Sequence, residues 1–158
     1  DHTPIMPVLK WTLEHYKSKK IFFDEIMMVM PCTPFIESSD LVNAYKLFSE
    51  ANKENPVIGI SSYPVPVEWA FNLNESDSSL APINTGMFKI RSQDLKKKYF
   101  DAGAFVLYSS DHILRANSSN QDENYIGLIL EKIKAIDIDD QEDWDFAESI
   151  MQYILAKE

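Results

Sequence analysis

Apolar residues recur at helical spacing at the start of the chain. Ile5, Val8, Leu9 and Leu13 follow Thr3, which reads as an N-cap, and Pro4, which suits a first turn. The spacing predicts a helix from Pro4 to Lys17, with Lys17, Lys19 and Lys20 at the end where cations meet the helix dipole. Ile26-Met27-Met28-Val29-Met30 is then a continuous apolar run, stopped by Pro31 and Pro34. A short run without alternation predicts a strand buried on both faces, as in parallel sheets. Ser38-Ser39-Asp40 is a capping cluster, and the helix after it carries Leu41, Ala44, Tyr45 and Phe48 on one face. Pro56 to Ile60 is a second buried strand.

The middle is less regular. Val65 to Leu73 reads as a strand, Asn74 to Ser79 as a polar turn, and Arg91 to Tyr99 as a short helix or loop. Gly103 to Tyr108 is again strand-like. Ala116 to Asn124 has no apolar content beyond alanine and is expected to be a mobile loop. Tyr125 to Leu130 and Ala135 to Asp139 read as strands. The last helix starts near Asp140, with Trp144, Ala147, Ile150, Met151, Ile154 and Leu155 as its expected buried stripe. Helices alternating with apolar strands give an α/β class, in one domain over 1–158, without internal repeats or heptads.

Composition narrows the function. The chain has 158 residues and a formal charge of −10, and only Arg91 and Arg115 are arginines. A nucleic-acid binder shows a basic face, so nucleic acid is not an expected partner. One cysteine, Cys32, excludes a disulfide framework and a cysteine-based zinc site, and fits a reducing cytoplasm. No apolar run approaches the roughly 18 residues of a membrane span, so no membrane partner is expected either. The chain opens at Asp1 without a methionine, and is expected to be a piece of something longer.

The densest acidic cluster runs from Asp137 to Asp145. If Ala135 to Asp139 is a strand, Asp137 and Asp139 project to the same side. Two convergent carboxylates at a strand end suit Mg²⁺, which takes one or two carboxylates together with substrate phosphates. Asp140, Glu142 and Asp143 are equally served by helix capping, but Asp137 and Asp139 precede the helix, and capping does not explain them. Arg91-Ser92-Gln93-Asp94 offers a two-point grip on a carboxylate plus hydroxyl or amide partners, which suits an acidic sugar; it is also readable as a solvated segment. Pro31-Cys32-Thr33-Pro34 is either a ligand-facing loop or a plain strand terminator. His2, His15 and His112 lack metal-ligand spacing, Cys32 has no histidine near it in sequence, and four glycines form no phosphate loop.

Five segments in order resemble the CMP-sialic acid synthetase family: Asp-His-Thr-Pro at 1–4, Pro-Cys-Thr-Pro-Phe at 31–35, Arg-Ser-Gln-Asp-Leu at 91–95, Asp-Ala-Gly-x-Phe at 101–105 and Asp-Ile-Asp-x-x-x-Asp-Trp at 137–144. The Asp-Ala-Gly form favours the pseudaminic acid cytidylyltransferase branch, since sialic acid members usually carry Asn-Gly there. The resemblance implies a Rossmann-like nucleotide-diphospho-sugar transferase fold with a mostly parallel sheet flanked by helices. It implies a Mg²⁺-dependent reaction of CTP with a nine-carbon acidic sugar, giving a CMP-sugar and pyrophosphate. By it, Asp137 and Asp139 match the metal pair and carry catalysis; Arg91 and Gln93 lie near the sugar; Asp101 and Phe105 belong to the neighbouring strand motif; and Thr33 lies in the active-site loop. It further implies a homodimer, with residues 64–100 as the candidate contact.

Two residues depart from the family pattern: Cys32 stands where a threonine is usual, and Val106 where a tyrosine is frequent. A strand and a basic glycine-rich loop, which hold the nucleotide in the family, are expected upstream of Asp1, so this chain alone is expected to bind CTP poorly and to be inactive. Related activities on N-acetylneuraminate, legionaminate or ketodeoxyoctulosonate, and a non-catalytic interaction module on the same scaffold, are the competing expectations.

Overall fold

The computed structural model describes residues 3–116 and 124–157. The expected mobile loop therefore lies, apart from Ala116 and Asn124, outside the described residues, as does His2. The chain divides into two compact units, one made of Asp1–Ile60 with Asp101–Glu158 and the other of Ser61–Phe100.

In the larger unit, helix α1 (Ile5–Ser18) leads to strand β1 (Glu25–Val29), helix α2 (Ser38–Glu50) and strand β2 (Val57–Ser62). After the second unit come β5 (Tyr99–Ser109), the short helix α3 (Ser110–Arg115), β6 (Ile126–Ile129) and α4 (Gln141–Leu155). The strands form one sheet in the order β1-β5-β2-β6. β1 runs antiparallel to β5, with Met27 opposite Leu107, and β2 runs parallel to β6, with Gly59 opposite Leu128. The sheet is thus mixed, where a mostly parallel one was expected. A continuous apolar run reports that both faces of a strand are covered; it carries no information about strand direction.

From Phe105 to Tyr108 the two-residue period of β5 sorts its side chains into two cores. On one side Phe105 and Leu107, joined by Ala102, Ala104 and Val57, pack with Ala44 and Phe48 of α2 and with Leu130. On the other, Val106 and Tyr108 pack with Met6 and Leu13 of α1 and Ile113 of α3. Helices therefore cover both faces, as the α/β class requires.

Several local expectations shift. α1 starts at Ile5 with Pro4 as its cap and no side-chain cap bond, rather than being capped by Thr3. Its buried arc holds Met6 and Leu13, while Ile5 and Val8 are about half exposed. Sequence periodicity fixes the helix but only loosely the arc that meets the sheet. β1 is an edge strand with β5 on only one side of it; Glu25 to Met28 are half-buried and Val29 is exposed, where full burial was expected. No strand forms over Ala135 to Asp139: a 3-10 turn occupies Lys132–Ala135, and the backbone after it is extended without a ladder partner. α4 begins where expected, with Asp140 accepting from the backbone N–H groups of Glu142 and Asp143. Its buried contact is Ala147, flanked by half-buried Ile150 and Ile154; Trp144, Met151 and Leu155, on the adjoining arc, are exposed.

In the smaller unit, residues 65–73 form a 3-10 turn (Val67–Trp69) and a short strand β3 (Phe71–Leu73), not one long strand. Antiparallel to β3 lies β4 (Leu80–Pro82), with Phe71 opposite Pro82 and Leu73 opposite Leu80. The polar turn expected at Asn74 to Ser79 joins them, closed by Asn74 Oδ1 accepting from the Ser76 amide at 3.1 Å. Two further 3-10 turns, Met87–Lys89 and Ser92–Asp94, complete it. Trp69 donates its indole N–H to the Met87 carbonyl at 3.2 Å and stacks on Phe88.

Phe48 has no exposed surface, so Phe48→Ala empties the centre of one core and should lower unfolding stability by about 3–5 kcal/mol in urea titration. Leu155→Ala, at a residue 61% exposed, should stay within about 0.5 kcal/mol of the parent chain.

Candidate functional site

Three segments of the larger unit meet at one end of the sheet. The Met30 amide bonds the Ala104 carbonyl at 2.9 Å, which extends the β1–β5 ladder to the start of the Pro31–Pro34 loop. The Cys32 carbonyl in that loop accepts the Ile138 amide at 3.0 Å, which brings in the stretch 136–139. The loop is pinned internally by Thr33, whose buried hydroxyl donates to the Met30 carbonyl at 3.1 Å.

Gly103 sits where the three meet. Its φ of +63° lies in the left-handed region that side-chain-bearing residues avoid. Its amide donates to Oδ1 of Asp101 at 2.9 Å. On its open side, a Cβ would lie 2.9 Å from Oδ2 of Asp137. The missing side chain is therefore the space that the Asp137 carboxylate fills. The other oxygen of that carboxylate, Oδ1, is buried and has no hydrogen-bond partner. A buried charged oxygen without a partner is costly, and in native sites it points to a ligand or ion that completes it. A hard divalent cation bound through carboxylate oxygen fits that chemistry. Among the described residues, no group of three or more His, Cys, Asp or Glu side chains is gathered tightly enough to hold a metal unaided. A cation here would need oxygens from a substrate as well.

The other sequence-derived residues fall in different places. Asp139 is exposed, and its amide donates to Oδ2 of Asp143 at 3.1 Å, at the foot of α4. Residues 136–139 have no ladder partner, and the two carboxylates differ in environment: Asp137 Oδ1 is buried, whereas Asp139 is exposed. Phe105 is 1% exposed and belongs to the core beneath α2. Cys32 is half-buried and contributes its backbone carbonyl. Val106 lies in the core under α1. Arg91 and Gln93 belong to the smaller unit and are exposed; the Arg91 Nε meets Asp94 Oδ2 at 3.0 Å.

Sequence reasoning missed one constellation. The Lys134 ammonium contacts Oδ2 of Asp40 at 2.8 Å, Oδ1 of Asp40 at 3.0 Å and Oε2 of Glu37 at 2.9 Å. Hydrogen bonds donated to Asp40, then to Glu37, hold Lys134 protonated to higher pH than an ordinary lysine. Asp40 was legible as a cap, and Oδ2 of Asp40 indeed accepts the Glu37 amide at 2.9 Å. Nothing in the pattern Glu-Lys-Ile-Lys singled out Lys134 as its partner 94 residues away.

No family model matches the chain. Two curated proteins do, both pseudaminic acid cytidylyltransferases of Campylobacter jejuni subsp. jejuni. The one from serotype O:2 is 28% identical over 153 residues, and the one from serotype O:23/36 is 27% identical over the same length. Each alignment covers 93% of this chain and 62% of the relative. The chain resembles cytidylyltransferases. The resemblance to the CMP-sialic acid synthetase family read from the motif order therefore stands. The chain spans 62% of the length of the curated relatives it matches. Among the described residues, no helix is long and apolar enough to cross a membrane.

Gly103→Ala tests the cradle directly. The new Cβ must displace the Asp137 carboxylate and hold a strained φ, and the variant should lose about 1–3 kcal/mol of stability by thermal or urea unfolding. Gly103→Ala combined with Asp137→Ala should recover part of that loss, because the clash is removed while the strain remains.

Proposed function

We propose that this chain is part of a cytidylyltransferase that joins CTP to a nonulosonic acid of the pseudaminic type, giving a CMP-sugar and releasing pyrophosphate. The observation that carries the reading is the unpartnered, buried Asp137 oxygen set against Gly103. It links two of the motifs that resemble the family, Asp-Ala-Gly and Asp-Ile-Asp. The names of the two relatives supply the reaction class.

In this reading Asp137 would hold Mg²⁺, with Asp139, exposed at the foot of α4, as the second carboxylate that the resemblance assigns. When bound, the metal neutralises charge that develops on the triphosphate during in-line displacement by the sugar's anomeric hydroxyl. The residues do the rest. The Pro31–Pro34 loop, fixed by Thr33 and by the Ile138–Cys32 bond, forms a rigid wall beside the Asp137 carboxylate. Asp101, tied to the Gly103 amide through one oxygen, keeps its other oxygen for a substrate hydroxyl. Arg91 and Gln93 belong to the smaller unit, and their part in gripping the sugar acid rests on the family resemblance alone. Phe105 acts from beneath as packing for the Asp-Ala-Gly segment and makes no substrate contact. The enzyme works as a homodimer in this reading, with residues 64–100 at the contact.

The decisive experiment is pyrophosphate release from CTP and Mg²⁺, with pseudaminic acid and N-acetylneuraminic acid offered separately. It is run on this chain and on the polypeptide encoded by the complete reading frame. Release with pseudaminic acid alone is the expected result for the complete frame; release with neither acid would sink the reading. In that background Asp137→Asn and Asp139→Asn should each lower turnover at least ~10²-fold, the usual size of a lost electrostatic contribution. The present chain, with its −10 charge, should show no micromolar CTP binding by calorimetry.

A further inference from the structure

Oδ1 of the Asp137 carboxylate has no hydrogen-bond partner, while the backbone on either side of the residue is tied down. One residue beyond it, the Ile138 amide is bonded to the Cys32 carbonyl. Three residues before it, Lys134 contacts three carboxylate oxygens of Glu37 and Asp40. Those acids stand at the first turn of α2, a few residues beyond the Pro31–Pro34 loop that accepts the Ile138 bond. Two short chain segments are therefore tied to each other at both ends, and Asp137 lies between the ties.

Burial sets the lysine tie to Asp40 apart from the exposed ion pairs of the chain. The Lys134 and Asp40 side chains are 15% and 12% exposed, so their pairing is shielded from solvent screening, unlike the exposed Arg91–Asp94 and Arg115–Asp111 pairs. Asp40 also accepts the Glu37 amide, so the same carboxylate caps α2 and anchors Lys134. Losing Lys134 would leave Asp40 still capping the helix but would free the Lys132–Ala135 turn from it.

We propose that Lys134 is a positioning residue: its ion pair with Asp40 and Glu37 holds the 136–139 stretch against the Pro31–Pro34 loop and so keeps the Asp137 carboxylate aimed past Gly103. The consequence for metal binding rests on the function proposed above; the consequence for the backbone does not. Two measurements separate them. Amide hydrogen exchange on this chain reads the backbone, and calorimetric titration of Mn²⁺, with CTP present, into the polypeptide encoded by the complete reading frame reads the metal.

Lys134→Met should speed exchange at Ile138 by ~10-fold or more, while the Phe48 and Leu107 amides keep the parent's protection. It should weaken Mn²⁺ binding by ~10-fold, the usual size of an outer-shell effect. Lys134→Arg should restore both. If exchange at Ile138 is unchanged, or if protection falls equally throughout α2 and β5, Lys134 has no positioning role and the proposal fails. If Asp137→Asn leaves Mn²⁺ binding as in the parent, or the parent binds none, the metal assignment fails; exchange at Ile138 in Lys134→Met still decides the backbone role.

Discussion

β5 is the constraint from which the larger unit is built. Its eleven residues run from Tyr99 to Ser109, and from Ala104 to Tyr108 every side chain is buried. From Phe105 to Tyr108 alternate residues enter different cores, so a one-residue slip of the register there would exchange the partners of α1 and α2 at once. The same register places Ala104 opposite Met30 and leaves Gly103 at the sheet end, facing Asp137. Fold and site are thus set by one alignment. Two small residues, Ala102 and Ala104, share one core with Phe48 and Ala44 of α2, so the strand segment that carries the site belongs to the same core as that helix.

The site shows how little side-chain chemistry is needed to shape such a place. Its walls are backbone: a carbonyl from Cys32, an amide from Ile138, and the bare α-carbon of Gly103. Because the Cys32 contact runs through its carbonyl, the wall does not depend on which side chain stands at that position. The polar side chains are correspondingly few, and each has a separate task. Thr33 locks its own loop, Asp101 locks the glycine, and Asp137 is left with an oxygen to share.

Most of the element order was legible in the sequence because the apolar runs and caps are strong local signals. Asp140 and Asp143 announced α4, and Ser38 to Asp40 announced α2. Direction and burial were less legible. Whether Ile26 to Val29 pairs parallel or antiparallel depends on a strand 80 residues away, and the arc of α4 that is buried depends on where Ala147 touches down. Residues 135–139 look like a strand because Ile136 and Ile138 alternate with polar residues, yet the segment is held by one backbone bond to a loop instead of by a ladder. Asp137 was found through its motif. The lysine that brackets it was not, since a long-range ion pair leaves no periodic trace.

The three tryptophans fall in environments that differ in a useful way. Trp11 and Trp144, in the larger unit, are 63% and 55% exposed, while Trp69, in the smaller unit, is half-buried, hydrogen-bonded through its indole and stacked on Phe88. A water-borne quencher such as iodide therefore reaches two indoles of one unit far more readily than the single indole of the other. The emission that survives quenching comes mainly from Trp69, so the chain carries its own optical label for the segment 61–100.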